Sequence, residues 1–173
     1  MDRRTALSFG ISPIAGEGTE VLSLTPALDG VPLTEIIAQF ETQMGFEPVG
    51  GYGGLVPAFY RFGPMDQYFM SESKAETHGE GRIYLLGCTC CEVGCWPLKA
   101  RISKTETGVV WTAFEQPHRK GRNYSGFGPF TFDIQQYREA VNAIASRFPE
   151  HQFQKGARPR EGYLGLGIGR FSA

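Results

Sequence analysis

The spacing of apolar residues changes several times along the chain, and each change marks an element. In TALSFGISPI and TEVLSLTPAL, residues 5–14 and 19–28, apolar positions alternate with small or polar ones on either side of the turn-forming AGEG. Period-two patterning around a turn predicts a hairpin, with Val21 and Ser23 in one row and Leu22 and Leu24 in the other. The period then lengthens. In VPLTEIIAQFETQMG, residues 31–45, Leu33, Ile36, Ile37, Phe40 and Met44 recur at helical spacing, Pro32 stands at the first helical position and Gly45 at the stop. Residues 46–70 lose periodicity. With five glycines, three prolines and many aromatic rings, they read as irregular chain lying against the body of the protein, and an ordered loop of that length is a candidate interaction surface. A polar loop follows near 71–81.

Strand patterning returns in RIYLLGCTC, CWPLKARISK and GVVWTAFEQP, joined by CEVG and TETG, which predicts an antiparallel meander of three strands, with GPFTF as a candidate fourth. DIQQYREAVNAIASRF carries a helical stripe of Ile134, Tyr137, Val141, Ile144 and Phe148, with Asp133 at the N-cap and Gln136 three residues on. A glycine-rich tail begins at about residue 155. Strands segregated from two helices predict an α+β fold: a hairpin plus a three- or four-stranded antiparallel meander, with two packing helices.

Turn length and the need for an apolar face set a predicted register. A turn at Thr105 to Gly108 pairs Lys104 with Val109, Ile102 with Trp111 and Ala100 with Ala113. Continued, that ladder places Cys95 opposite His118. A second turn at Cys91 to Gly94 places Cys90 opposite Cys95, with Cys88 on the same face. Three thiols and one imidazole, Cys88, Cys90, Cys95 and His118, thereby become a candidate zinc-ligand set. Cysteines at i and i+2 on a regular strand stand too far apart to share an ion, so a bulge at Gly87 or in the cysteine loop is required. Two other readings compete: small buried thiols under the cover of Trp96, and a reactive site in which Cys95 is a nucleophile activated by His118, or forms a disulfide with Cys90 on oxidation.

Composition narrows the classes. A chain of 173 residues is long enough for one core without disulfide staples, so residues 1–173 are expected to form one domain. The net charge is -1 and the pI about 6.3, which provides no field for nucleic acid or an anionic membrane; the basic run PHRKGR, residues 117–122, reads as a solvated loop. The beginning MDRRTALSFGISP lacks the apolar stretch of a signal peptide, and no stretch is apolar enough to span a membrane. A cytoplasmic location is expected, where thiols are reduced and bind metal or react rather than form structural disulfides. The paired glycines of GGYGGL and GLGIGR lack the context of a nucleotide-binding loop and read as turns and close packing.

The blocks LDGVPLTEIIAQFE, GGYGGLVPAFYRFGPMDQYF, YLLGCTCCEVGCWPLKARI, VVWTAFEQPHR and YSGFGPFTFD, within residues 20–145, together resemble a family of small bacterial proteins of unassigned function. The resemblance supplies no activity, fold or ligand. It implies only that Cys91, where glycine is common in that family, stands apart from any site. The functional expectation is a cytoplasmic binding or accessory protein whose cysteine-rich strand end holds zinc or packs as a structural knot. The alternatives are a thiol enzyme or redox sensor using Cys95 with His118, and a protein-interaction module using residues 46–70.

Overall fold

The computed structural model describes residues 4–14, 21–73 and 81–149. The hairpin forms from β1 (Leu7–Ile14) and β2 (Val21–Leu28), with Leu7 opposite Leu28 and Ile14 opposite Val21; its turn lies outside the described residues. A two-residue β3 (Val31–Pro32) adds to β2 and leads into α1 (Leu33–Gln43). A second sheet has the order β4-β5-β6-β7-β8: β4 (Tyr52–Gly53), β5 (Arg82–Cys88), β6 (Leu98–Lys104), β7 (Gly108–Glu115) and β8 (Phe130–Asp133). Two further helices, α2 (Met65–Phe69) and α3 (Ile134–Ala145), complete the α+β fold.

Residues 46–70 are more ordered than their composition predicts: they contain β4, α2 and a bridge from Leu55 to Leu24 that joins the two sheets. The glycines of GGYGGL allow that strap to lie close to both neighbours. A Cβ at Gly53 would sit 2.7 Å from the carbonyl oxygen of Cys88, and one at Gly54 would sit 2.9 Å from that of Leu24; the bare backbone is what fits. Most of residues 71–81 and the glycine-rich tail from about 155 lie outside the described residues.

The predicted register holds from the β6–β7 turn inward and then breaks. Lys104 faces Val109 and Ile102 faces Trp111, but Lys99 faces Glu115, one residue out of phase. The extra residue is Ala113, which adopts a φ of 52° and replaces the predicted Ala100–Ala113 pair with a β-bulge. Arg82 Nε donates to the carbonyl of Ala113 at 2.9 Å and holds the bulged peptide. The ladder stops at Leu98, directly after Pro97, so Cys95 never enters it and the predicted cross-strand pair of Cys95 with His118 does not form. Nor do Cys90 and Cys95 face each other across a four-residue turn, because β5 ends at Cys88 and residues 89–97 form a loop.

Helix α1 corrects the apolar stripe: Leu33, Ile37 and Glu41 are buried while Met44 is 47% exposed. In α3, Asp133 caps as predicted, its Oδ1 accepting from the backbone N–H of Gln135 at 2.9 Å and of Gln136 at 3.1 Å. Its stripe packs Tyr137 on Trp111 and Phe132, all three fully buried. The Tyr137 hydroxyl donates to the carbonyl of Phe69 at 2.8 Å and accepts from Trp111 Nε1 at 3.0 Å, which ties α2, α3 and β7 together. Tyr137→Phe therefore strands one buried donor and one buried acceptor, and is expected to lower stability by about 1–3 kcal/mol. Urea unfolding checks this: the midpoint falls while the slope is unchanged.

Candidate metal centre

The chain reverses direction immediately after β5. The backbone N–H of Cys91 donates to the carbonyl of Cys88 at 2.9 Å, closing a turn, and Cys91 itself takes a φ of 68°. The N–H groups of Cys88 and Cys95 both donate to the carbonyl of Glu92, each at 3.3 Å, which folds the far side of the loop back over the end of β5. The result brings the Sγ atoms of Cys88, Cys90 and Cys95 within 4.8 Å of one another. The spacing problem posed by i and i+2 cysteines is solved because Cys90 lies in the turn and not on the strand.

This spacing suits a single ion. Thiolates on a tetrahedral ion with Zn–S bonds of about 2.3 Å sit about 3.8 Å apart, so the three sulfurs need to close in by at most about an ångström. The backbone N–H of Cys90 already points at Cys88 Sγ, at 3.4 Å. Cys88, Cys90 and Cys91 are half-buried and Cys95 is exposed, so the cluster opens to solvent on one side. Cys91 stands outside the three-thiol group, and so does His118.

His118 is nonetheless tied to the same loop. Its Nε2 lies 2.7 Å from the carbonyl oxygen of Gly94, the residue before Cys95. Its own backbone N–H donates to Gln116 Oε1 at 2.6 Å, and Gln116 is itself buried, with an Nε2 that has no acceptor among the described residues. A carbonyl can only accept, so in the neutral ring the proton sits on Nε2 and the lone pair on Nδ1.

The loop rests on a buried carboxylate that the hydrophobic pattern does not reveal. Glu41 is 0% exposed. Its Oε1 accepts from the hydroxyls of Tyr52 and Tyr124, both at 2.7 Å, and from Arg122 Nη1 at 3.1 Å; its Oε2 accepts from the N–H of Gly50 at 2.8 Å. Arg122 Nη2 also donates to the carbonyl of Pro48 at 2.6 Å. Arg122 belongs to the basic run that reads as a solvated loop, yet its side chain is only 7% exposed. Burial, together with the neighbouring carboxylate, pushes the Tyr52 phenol far above its usual range, and burial raises that of Tyr124, so both remain donors to Glu41. Residues 50–52 pass this anchoring to the cysteines. Tyr52 pairs with Cys88, the carbonyl of Gly51 accepts from the N–H of Thr89 at 3.2 Å, and the carbonyl of Gly50 accepts from Trp96 Nε1 at 2.8 Å. The sequence signal for Glu41 is its position: it follows Leu33 and Ile37 at successive steps of four and so falls on the buried face of α1.

No family model, curated protein or solved structure matches the chain. The chemistry of the cluster stands on its own geometry: three sulfurs that can hold a metal ion. Free of metal, Cys90, Cys91 and Cys95 favour the protonated thiol. Partial burial, with hydrogen bonding to and repulsion from Cys88 and Cys90, pushes the Cys95 thiol up to about 12, and burial raises Cys90 and Cys91 as well. A raised thiol pKa leaves less thiolate at neutral pH, and the thiolate is the form that attacks an electrophile.

Two outcomes follow. In metal-free, reduced protein, iodoacetamide is expected to modify Cys95 more slowly than free cysteine at pH 8, with the rate still climbing above pH 10; mass-spectrometric time courses at several pH values check it, and fast labelling at pH 7 would restore the nucleophile reading. Arg122→Ala leaves Glu41 as a buried charge without its counter-ion and is expected to lower stability by about 3–5 kcal/mol in a denaturant titration.

Proposed function

We propose that this protein is a metal-binding accessory protein whose cysteine loop holds one zinc ion through Cys88, Cys90 and Cys95, with His118 closing the fourth position through Nδ1. The observation that carries the reading is the convergence of three Sγ atoms within 4.8 Å. Thiolate and imidazole ligands suit zinc, and neither carboxylate nor water is needed to complete a four-coordinate shell. Two features of His118 support its inclusion although it stands outside the three-thiol group. Its attachment to Gly94 keeps it one residue from Cys95, and a zinc-bound imidazole commonly donates its other N–H to a backbone carbonyl, as Nε2 is placed to do here.

The thiols deprotonate on binding, so uptake releases protons and weakens as pH falls. The site stands on a solvent-facing loop next to a rigid buried anchor, which suits a structural or carrier role better than an enclosed catalytic one.

The test is metal content and affinity in reduced, freshly purified protein. One zinc per chain is expected, lost in Cys88→Ser, Cys90→Ser and Cys95→Ser, kept in Cys91→Ser, and bound at least about tenfold more weakly in His118→Ala. Failure of reduced protein to take up stoichiometric zinc on reconstitution would sink the proposal. Undiminished affinity in His118→Ala would remove the imidazole from the ligand set.

A further inference from the structure

The outer edge of β1 is the second feature with a built-in chemistry, and it is independent of the cysteines. β1 is the terminal strand of its sheet. Leu24 uses its backbone N–H and C=O on Leu55, on the side of β2 away from β1, so its partner Ile11 is in a non-hydrogen-bonded pair of the β1–β2 ladder. Backbone groups alternate in direction along a strand. Leu7, Phe9 and Ile11 therefore turn their N–H and C=O outward, and Pro13, with no N–H to offer, falls in the same outward row. Leu7 confirms the direction: Gln136 Oε1 accepts from its N–H at 3.0 Å and Gln136 Nε2 donates to its carbonyl at 2.7 Å. The Gln136 amide thus acts as a one-residue strand partner. Phe9 and Ile11 make no such contact among the described residues. Beside this edge runs a groove of about 430 Å³ between β1 and α3, with Phe9, Ile11, Ala140 and Ala143 among its walls and Glu139 and Arg147 on its rim.

We propose that this face takes a second copy of the chain in a twofold-symmetric dimer, in which β1 pairs antiparallel with β1 of the partner copy while the two α3 helices run antiparallel beside them. A twofold interface must be complementary to itself, and this surface is. Glu139 and Arg147 are both exposed and lie four residues on either side of exposed Ala143. An antiparallel crossing centred on Ala143 sets Glu139 of each copy against Arg147 of the other, and neither side chain is in an ion pair among the described residues. The strand edge has the same symmetry about Gly10. Phe9 of one copy meets Ile11 of the other and each pair exchanges two backbone hydrogen bonds, so four bonds span the axis. The next pair along brings Leu7, already satisfied by Gln136, against Pro13, which has no donor. The ladder ends on each side where a free N–H is missing. An unprotected strand edge is otherwise a hazard for open-ended association; closure by twofold pairing removes it.

Sedimentation equilibrium or light scattering across a concentration series of the full chain tests this. A dimer is expected. Glu139→Arg and Arg147→Glu, which each replace two attractive contacts with two repulsive ones, are expected to raise its dissociation constant at least about tenfold, and the double reversal Glu139→Arg/Arg147→Glu to restore it. Ile11→Pro removes an outward N–H and leaves the β1–β2 ladder bonds in place; it is expected to yield monomers with an unchanged far-ultraviolet circular dichroism spectrum. A wild-type protein that stays monomeric assigns the groove to some other occupant and overturns the proposal. So does a dimer indifferent to single charge reversals, since it would lie on another face. Recovery in the double reversal separates a lost interface from a misfolded variant.

Discussion

A carboxylate with no access to water organises the half of the molecule that carries the cysteines. A buried charge is tolerated only when it is paired and fully hydrogen-bonded. Glu41 meets that condition by drawing in donors from two separate stretches: Gly50 and Tyr52 from the glycine-rich strap, and Arg122 and Tyr124 from the segment after β7. Neither stretch has a regular element long enough to fix its own path. Their positions follow from the need to satisfy one carboxylate on a rigid helix, and the aromatic rings of Phe40, Phe46 and Tyr124 close over it.

The cysteine loop inherits this order. A loop of nine residues between two strands has no intrinsic reason to bring three thiols together, and the two backbone bonds that fold it back onto the Glu92 carbonyl are long, at 3.3 Å. What holds it is contact with the strap: β4 pairs with the last residues of β5, and Trp96 reaches across to Gly50. Gly50 joins the two systems, since its N–H serves Glu41 while its carbonyl serves Trp96. Mobility at the thiols is thus limited by a network more than one residue removed from them, in the manner of the outer-shell contacts that orient metal ligands.

Much of the fold is legible in the sequence because hydrophobic period and turn chemistry are local. The hairpin, the meander, α1, α3 and its Asp133 cap all follow from patterns within a dozen residues. The misses share a non-local cause. Ala113 has an ordinary strand residue's identity, and its positive φ arises from the surrounding sheet and from the Arg82 contact to its carbonyl. That one residue shifts the end of β7 out of phase, while the end of the ladder at Leu98, directly after Pro97, keeps Cys95 from pairing with His118. Glu41 and Arg122 are charged residues whose burial depends on each other, so each alone reads as surface. The cysteines illustrate both sides: Cys88, Cys90 and Cys95 do converge, but through a turn at Cys88–Cys91 whose geometry depends on Cys91 adopting a φ of 68°.

The electrostatics of the loop bear on how its sulfurs act as candidate ligands. Uncharged, they pack as small, partly buried side chains. Ionised alone, Cys90 or Cys95 meets incomplete solvation and its neighbours' sulfurs, which is why both are pushed up. A bound dication reverses the sign of that interaction, because every thiolate then faces the ion more strongly than it faces the others. Three thiolates and one dication leave a net charge of about -1, and the surroundings suit it. The guanidinium of Arg119 stacks 4.7 Å from the ring centre of Trp96, and that of Arg122 lies 5.7 Å from it, beside Cys95 in sequence. The indole of Trp96 does more than cover the loop: it gathers two guanidinium groups beside the segment that carries Cys95.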